Sequence, residues 1–196
     1  LLGRHHAELE RDMLDALDRR ERLRDLPPST ARFYDRIRPL VESPKLGPVL
    51  WQLPPGFRRD DERLADALEQ LPAGRHCFEF RHETWFAEPV YDLLRRHGVA
   101  LVIGDTPERP FQTHELTADW TFVRFHYGCR GRGGNYSERE LEEWARRLAS
   151  WAEDNEVFAY FNNDWYGFAP RNARLLQKLL GVEPPAASLA AARPAT

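Results

Sequence analysis

Glu79 and Arg81 stand two residues apart in the run Cys77-Phe78-Glu79-Phe80-Arg81, and Arg124 and His126 do the same in Val123-Arg124-Phe125-His126. Residues two apart in an extended strand share a face, so each run gathers its phenylalanine and valine on one side and its ionisable groups on the other. A carboxylate, two guanidinium groups and an imidazole placed this way supply the parts of acid–base chemistry on a small polar or anionic molecule. In that chemistry Glu79 or His126 carries the proton, Arg81 and Arg124 clamp an anion, and Asp105 orients them. Gln52, Asn162, Asn163 and Asp164 close neighbouring apolar runs and are expected to add hydrogen bonds to a ligand. Trp85 and Tyr136 are candidates to stack a ring.

Each feature also has a purely structural use. Glu79 and Asp105 can pair with Arg81 and Arg124 as buried ion pairs, since such charges are costly to bury alone. A strand-end histidine such as His126 is often just a hydrogen-bonded group, and Asn162-Asn163-Asp164 can form Asx turns or cap the next helix. The gathering of these groups at one end of several strands favours a site. That bias also places Arg124 and His126 near a mouth that water reaches, and so predicts that Arg124→Met leaves stability almost unchanged. No HxH or HExxH pair accompanies His126, so no metal is expected, and no cofactor fingerprint is present. The Gly- and Arg-rich loop Tyr127 to Asn135 suits either an anion site or a flexible connector. None of the serines sits at a sharp strand-to-helix elbow, which argues against a serine nucleophile.

Repeated strand–helix units are needed to position these groups. Short apolar runs at Pro48 to Leu53, His76 to Arg81, Val99 to Gly104, Thr121 to His126 and Val157 to Asn162 read as strands. Between and after them, amphipathic patterns predict helices near Asp60 to Leu71, Ala87 to His97, Ser137 to Asp154 and Ala169 to Leu180. This is the rhythm of a parallel α/β sheet with right-handed crossovers. The strands are more charged than a sheet covered on both faces permits. A closed barrel resolves the conflict by facing the apolar sides to the helices and the charged sides to its interior, with polar groups near the C-terminal mouth where such barrels build active sites. Before the first strand, a helix is expected from Ala7 to about Arg24, ended by Leu26-Pro27-Pro28, and a second one capped by Ser29 or Thr30 and running to Ser43-Pro44. Residues 183–196 are rich in Pro and Ala without periodicity and read as a disordered tail.

With 196 residues, 42% apolar and 30% charged, the chain suits one globular domain. A net charge of -3 offers no general attraction for nucleic acid or an anionic membrane. Only Lys45 and Lys178 are lysines, neither at a strand end, which argues against a Schiff-base enzyme. Cys77 and Cys129 are too few for a disulfide framework, and together with the lack of a signal-peptide core or membrane-length apolar run they point to a cytoplasmic protein.

Four ordered motifs carry a resemblance: Gly47-Pro48-Val49-Leu50-Trp51-Gln52-Leu53-Pro54-Pro55, Phe78-Glu79-Phe80-Arg81-His82-Glu83-Thr84-Trp85, Thr117-Ala118-Asp119 with Val123-Arg124-Phe125-His126, and Tyr160-Phe161-Asn162-Asn163-Asp164. Through them the chain resembles the YecE-like family, catalogued as domain of unknown function seventy-two. The resemblance covers residues 23–182 and implies an α/β fold, a parallel TIM-like (β/α) barrel whose fourth to eighth strands are those above. The family's opening strands have no counterpart in residues 1–22, so the expectation is a partial barrel of about five strands, a truncated fragment. Where family members read Leu-His-Gly, this chain has Phe125-His126-Tyr127-Gly128, with a Tyr inserted before the Gly. The family has no settled activity, so the resemblance implies a fold rather than a reaction.

Enzyme or not is left open. Against acid–base catalysis on a small anionic ligand stand a metal-assisted phosphoester hydrolase, a nucleic-acid or protein binding module gripping through the Gly and Arg loop, and an inactive fragment with exposed sheet edges.

Overall fold

The computed structural model describes residues 23, 26–106, 109, 112–128 and 133–182. The expected helix from Ala7, the tail from Glu183 and the centre of the Gly and Arg loop, 129–132, lie outside the described residues. The chain begins with helices α1 (Leu26–Arg36) and α2 (Arg38–Val41) and continues as β1 (Val49–Gln52), α3 (Asp61–Glu69), β2 (His76–Glu79), α4 (Glu88–Arg96), β3 (Ala100–Asp105), β4 (Trp120–Phe125), α5 (Glu138–Trp151), β5 (Glu156–Phe161) and α6 (Phe168–Leu180). Helix α1 starts at Leu26, earlier than its Ser and Thr suggest, because prolines are tolerated in a first turn whose N–H groups have no partners anyway.

Local chemistry sets the helix boundaries. The Asp60 carboxylate accepts the Arg63 N–H at 3.1 Å to start α3. Ser137 and Glu140 form a reciprocal capping box that starts α5, with the Ser137 N–H donating to Glu140 Oε2 at 2.7 Å. Gly181 ends α6 in the left-handed conformation that glycine adopts without strain.

The strands form one parallel sheet in the order β1-β2-β3-β4-β5, each paired with the next in the chain. Its outer face is covered in two blocks. Trp51, Phe78, Phe80 and Leu101 pack against Leu64, Leu68, Val90 and Leu94 of α3 and α4. Ile103, Val123 and Phe125 pack against Leu141, Trp144, Leu148 and Leu176 of α5 and α6. On the opposite face, Cys77, Ala100, Val102, Trp120 and Phe122 form a separate cluster with Leu50 and Phe158.

That inner face is concave. Arg75, just before β2, pairs with Glu156 at the start of β5 at 2.5 Å, and its guanidinium lies 5.4 Å from the Phe158 ring centre. A Cβ placed on Gly47, ahead of β1, would stand 3.7 Å from the Tyr160 hydroxyl of β5. The first and last strands thus approach across the inner face although they share no pairing, the curvature expected of barrel staves. Thr117 anchors the approach to β4: its hydroxyl donates to the Val99 carbonyl at 2.7 Å and accepts the Leu101 N–H at 2.8 Å. Among the described residues no helix is long and apolar enough to cross a membrane.

Candidate functional site at the carboxyl ends of the strands

Above the inner apolar cluster the side chains become polar. Glu79 is buried to 1% exposure on the inner face of β2, beside Gln52, its register partner on β1. Arg81 Nε donates to Glu79 Oε1 at 3.1 Å, Arg124 Nη1 donates to Oε2, and Arg109 Nη1 reaches Oε1 at 3.5 Å. Gln52 Oε1 joins two of them, accepting from Arg81 Nη2 at 2.5 Å and Arg124 Nη1 at 3.2 Å. His126 Nε2 stands 3.7 Å from Glu79 Oε1 without a hydrogen bond. With its amide oriented to satisfy both ends, Asn162 accepts from Arg124 Nη2 at 3.1 Å and donates to the Phe125 carbonyl at 2.9 Å, and His126 Nδ1 lies 3.0 Å from the same amide.

Burial by itself would raise the Glu79 pKa, but Arg124, Arg81 and His126 together outweigh it and hold the carboxyl below the usual range. Glu79 is therefore ionised and engaged on both oxygens, an orienting counter-charge for the arginines rather than a poised base. Burial pushes His126 the other way, down to about 4, opposed by Glu79 and assisted by Arg124, Arg81 and Arg109. At neutral pH its ring is uncharged.

Of the residues singled out in the sequence, Gln52, Glu79, Arg81, Arg124, His126 and Asn162 come together here. Arg124 differs from expectation in environment: its side chain is 8% exposed and sits under the mouth, not in open water. Asp105 is turned away, with Oδ2 accepting from Trp144 Nε1 at 3.0 Å and so tying the end of β3 to α5. Trp85 is a core residue at 0% exposure, stacked on Phe80 at 4.7 Å with its Nε1 donating to the Phe57 carbonyl, and so has no face to offer a ligand. Tyr136 is likewise buried, edge-on to Phe125 and Phe161, with its hydroxyl accepting the Tyr127 N–H at 3.1 Å. Asp164 is exposed and precedes the short 3-10 helix Trp165–Gly167 without a side-chain cap bond.

Asn163 serves the scaffold. Fully buried, its Nδ2 donates to the Gly134 carbonyl at 2.8 Å and to Asn172 Oδ1 at 2.9 Å, and Asn172 Nδ2 donates to Asn135 Oδ1 at 3.1 Å. This chain pins the returning arm of the Gly and Arg loop to α6. The loop's two arms touch as an isolated bridge between Gly128 and Gly134. A Cβ on Gly128 would stand 2.1 Å from the Asn135 carbonyl, so this position needs glycine. Asn163→Ala is expected to lower stability by about 1 to 3 kcal/mol by stranding two buried partners, and to expose the amides of 133–136 to faster hydrogen exchange than the rest of the sheet. Unchanged exchange there would remove Asn163 from this role.

Two residues of the site went unseen in the sequence. Arg109 and Gln112 lie on the loop after β3, folded back by bonds from the Arg109 N–H to the Thr106 carbonyl and from the Gln112 N–H to the Arg109 carbonyl. The signal was present as a Pro-punctuated polar stretch, Thr106-Pro107-Glu108-Arg109-Pro110, directly following a strand end. Among the described residues no group of three or more His, Cys, Asp or Glu is placed to hold a metal ion.

A concave parallel sheet, helices on its outer face and an arginine-caged carboxylate at its strand ends define a barrel-type α/β protein with a polar mouth. The chain belongs to the family described as protein of unknown function DUF72, which it matches over residues 13–196. It is 28% identical to the UPF0759 protein YunF of Bacillus subtilis, covering 77% of this chain and 64% of that one. Its fold is similar to a DUF72 family protein of Thermotoga maritima, with a TM-score of 0.73 and 30% identity over 81% of this chain and 66% of that one. A DUF72 family protein of Enterococcus faecalis aligns with a TM-score of 0.71 and 22% identity, over 81% of this chain and 67% of that one. The chain thus spans slightly less than two thirds of YunF and of the Thermotoga protein.

Proposed function

We propose that the strand-end cluster binds a small anionic molecule, with Arg81 and Arg124 as the clamp and His126 as the group that exchanges a proton with it. The observation that carries this reading is the state of Arg81. Its Nε and Nη2 are held by Glu79 and Gln52, while its Nη1 has no partner among the described residues and its side chain is 23% exposed. A guanidinium fixed on one side and open on the other is preorganised for an anion, because its rotamer entropy is lost before binding. His126 Nε2, also without a partner, stands beside it over the same Glu79 oxygen. Glu79 keeps the arginines in place, and the uncharged His126 ring can donate a hydrogen bond or take a proton as charge accumulates nearby.

Titration of the protein with inorganic phosphate and with acetate, followed by thermal melting and by NMR of the His126 ring, tests the reading. Wild type is expected to be stabilised and its His126 signals to move, and Arg81→Met to lose the response by about tenfold in affinity or more. Wild type unresponsive to both anions would overturn the proposal.

A further inference from the structure

The amide of Gln112 is a part of this mouth that hydrogen bonding within the protein does not explain. Both of its atoms, Nε2 and Oε1, are buried without a partner among the described residues. They lie where a side chain of residue 104 would otherwise project: a Cβ on Gly104 would stand 2.6 Å from Nε2 and 2.7 Å from Oε1. Gly104 is the register partner of Arg124 on β4 and shares the inner face with Val102, two residues before it. The amide therefore occupies the polar layer next to Arg124, on the loop that also sends Arg109 to Glu79.

Leaving a buried amide unsatisfied at both ends is costly, so such a group points to a partner that supplies both a donor and an acceptor. An acceptor-only anion, such as a simple carboxylate or a phosphate monoester dianion, satisfies Nε2 and leaves Oε1 empty. Two nitrogens of the cluster have no hydrogen-bond partner among the described residues, Arg81 Nη1 and the buried His126 Nε2, one for each oxygen of a carboxylate group. Resting on the anion reading above, we propose that the ligand is a small 2-hydroxy carboxylate, its carboxylate on Arg81 and His126 and its hydroxyl both donating to Gln112 Oε1 and accepting from Gln112 Nε2 or its own water. Gly104 is the device that makes room for that amide.

Paired ligands that differ by one hydroxyl test this: glycolate against acetate, and lactate against propionate, titrated into the full chain by calorimetry or ligand-observed NMR. In each pair the hydroxy acid is expected to bind about tenfold tighter or more, since a site built to hydrogen-bond a hydroxyl rejects the analogue without it. Gln112→Met should abolish the preference, bringing glycolate and lactate down to the affinities of acetate and propionate. Gly104→Ala should do the same with the fold intact, because its methyl group meets the far end of a flexible side chain and displaces the amide. Equal affinities within each pair in wild type, or a preference that survives Gln112→Met, would overturn the hydroxy-acid assignment and leave the anion site standing. Absence of binding by all four acids would overturn both.

Discussion

Glu79→Gln is expected to lower the stability of the protein by about 3 kcal/mol or more, measured by urea denaturation at neutral pH, because it removes a buried carboxylate on which Arg81, Arg109 and Arg124 converge. Arg124→Met should cost a similar amount by leaving Glu79, at 1% exposure, without its closest counter-charge. Burial makes the difference between these effects and the near-neutral outcome that the sequence suggested for Arg124: a charge that water reaches can lose its partner cheaply, and a charge that water cannot reach does not. A Glu79→Leu, Arg124→Leu double variant should recover part of the loss, since neither charge is then stranded. Additive losses would mean the pair is not coupled. The pH dependence has a definite sign. The folded-state pKa of Glu79 is lowered, so its contribution is fully present above the ordinary carboxylate range near 4.3 and disappears as the pH falls through the folded value. Acid unfolding of wild type should therefore steepen below about pH 4, and Glu79→Gln should lack that component.

The second large effect lies at higher pH and belongs to His126. Its pKa falls from 6.5 to about 4 in the folded protein, so the unfolded chain takes up a proton first as the pH drops. Stability should decline between about pH 6.5 and pH 4, by roughly 3 kcal/mol from this group. Burial lowers His76 and His114 as well, so these add in the same direction and His126→Gln should flatten only part of the slope. A bound anion reverses the local balance by favouring the charged ring. Anion affinity is then expected to rise as the pH is lowered toward about 4, the value of the ring in the free folded protein, with proton uptake visible as a dependence of binding heat on the ionisation heat of the buffer. Asn162 fits either state, because both ends of its amide lie 3.0 Å from His126 Nδ1 and it can donate to the neutral ring or accept from the charged one. Binding heats that do not depend on the buffer, or an unaltered pH profile in His126→Gln, would take the proton-exchanging role away from His126.

Both effects arise from features that the primary structure shows only in part. The alternation in Cys77 to Arg81 and in Val123 to His126 is a local property with a period of two, and it correctly separates the faces: Phe78, Phe80, Val123 and Phe125 lie under the helices, and Glu79 and Arg124 lie on the inner side. Helical periodicity likewise locates α3 to α6 to within a few residues. The four ordered motifs bring family and fold with them, and the family match over residues 13–196 agrees.

Partners and depth are not local properties. Asp105 and Glu79 look alike in the sequence, each an acidic residue near a strand end, yet Asp105 meets the Trp144 indole from α5 and Glu79 meets three arginines. Trp85 reads as a stacking residue until the packing of Phe57 and Phe80 around it is known. Arg109 and Gln112 enter the site only because the loop after β3 folds back over Gly104, a contact made by backbone turns and the absence of one side chain. The amino-acid sequence by itself determined which face of each strand is polar and the order in which strands and helices follow, since both depend on spacings of two to four residues. Only the tertiary structure decided which charges are buried, which partner each one takes and which loop completes the mouth, because those depend on distances between strands and loops that are up to about seventy residues apart in the chain, as Gln52 and Arg124 are.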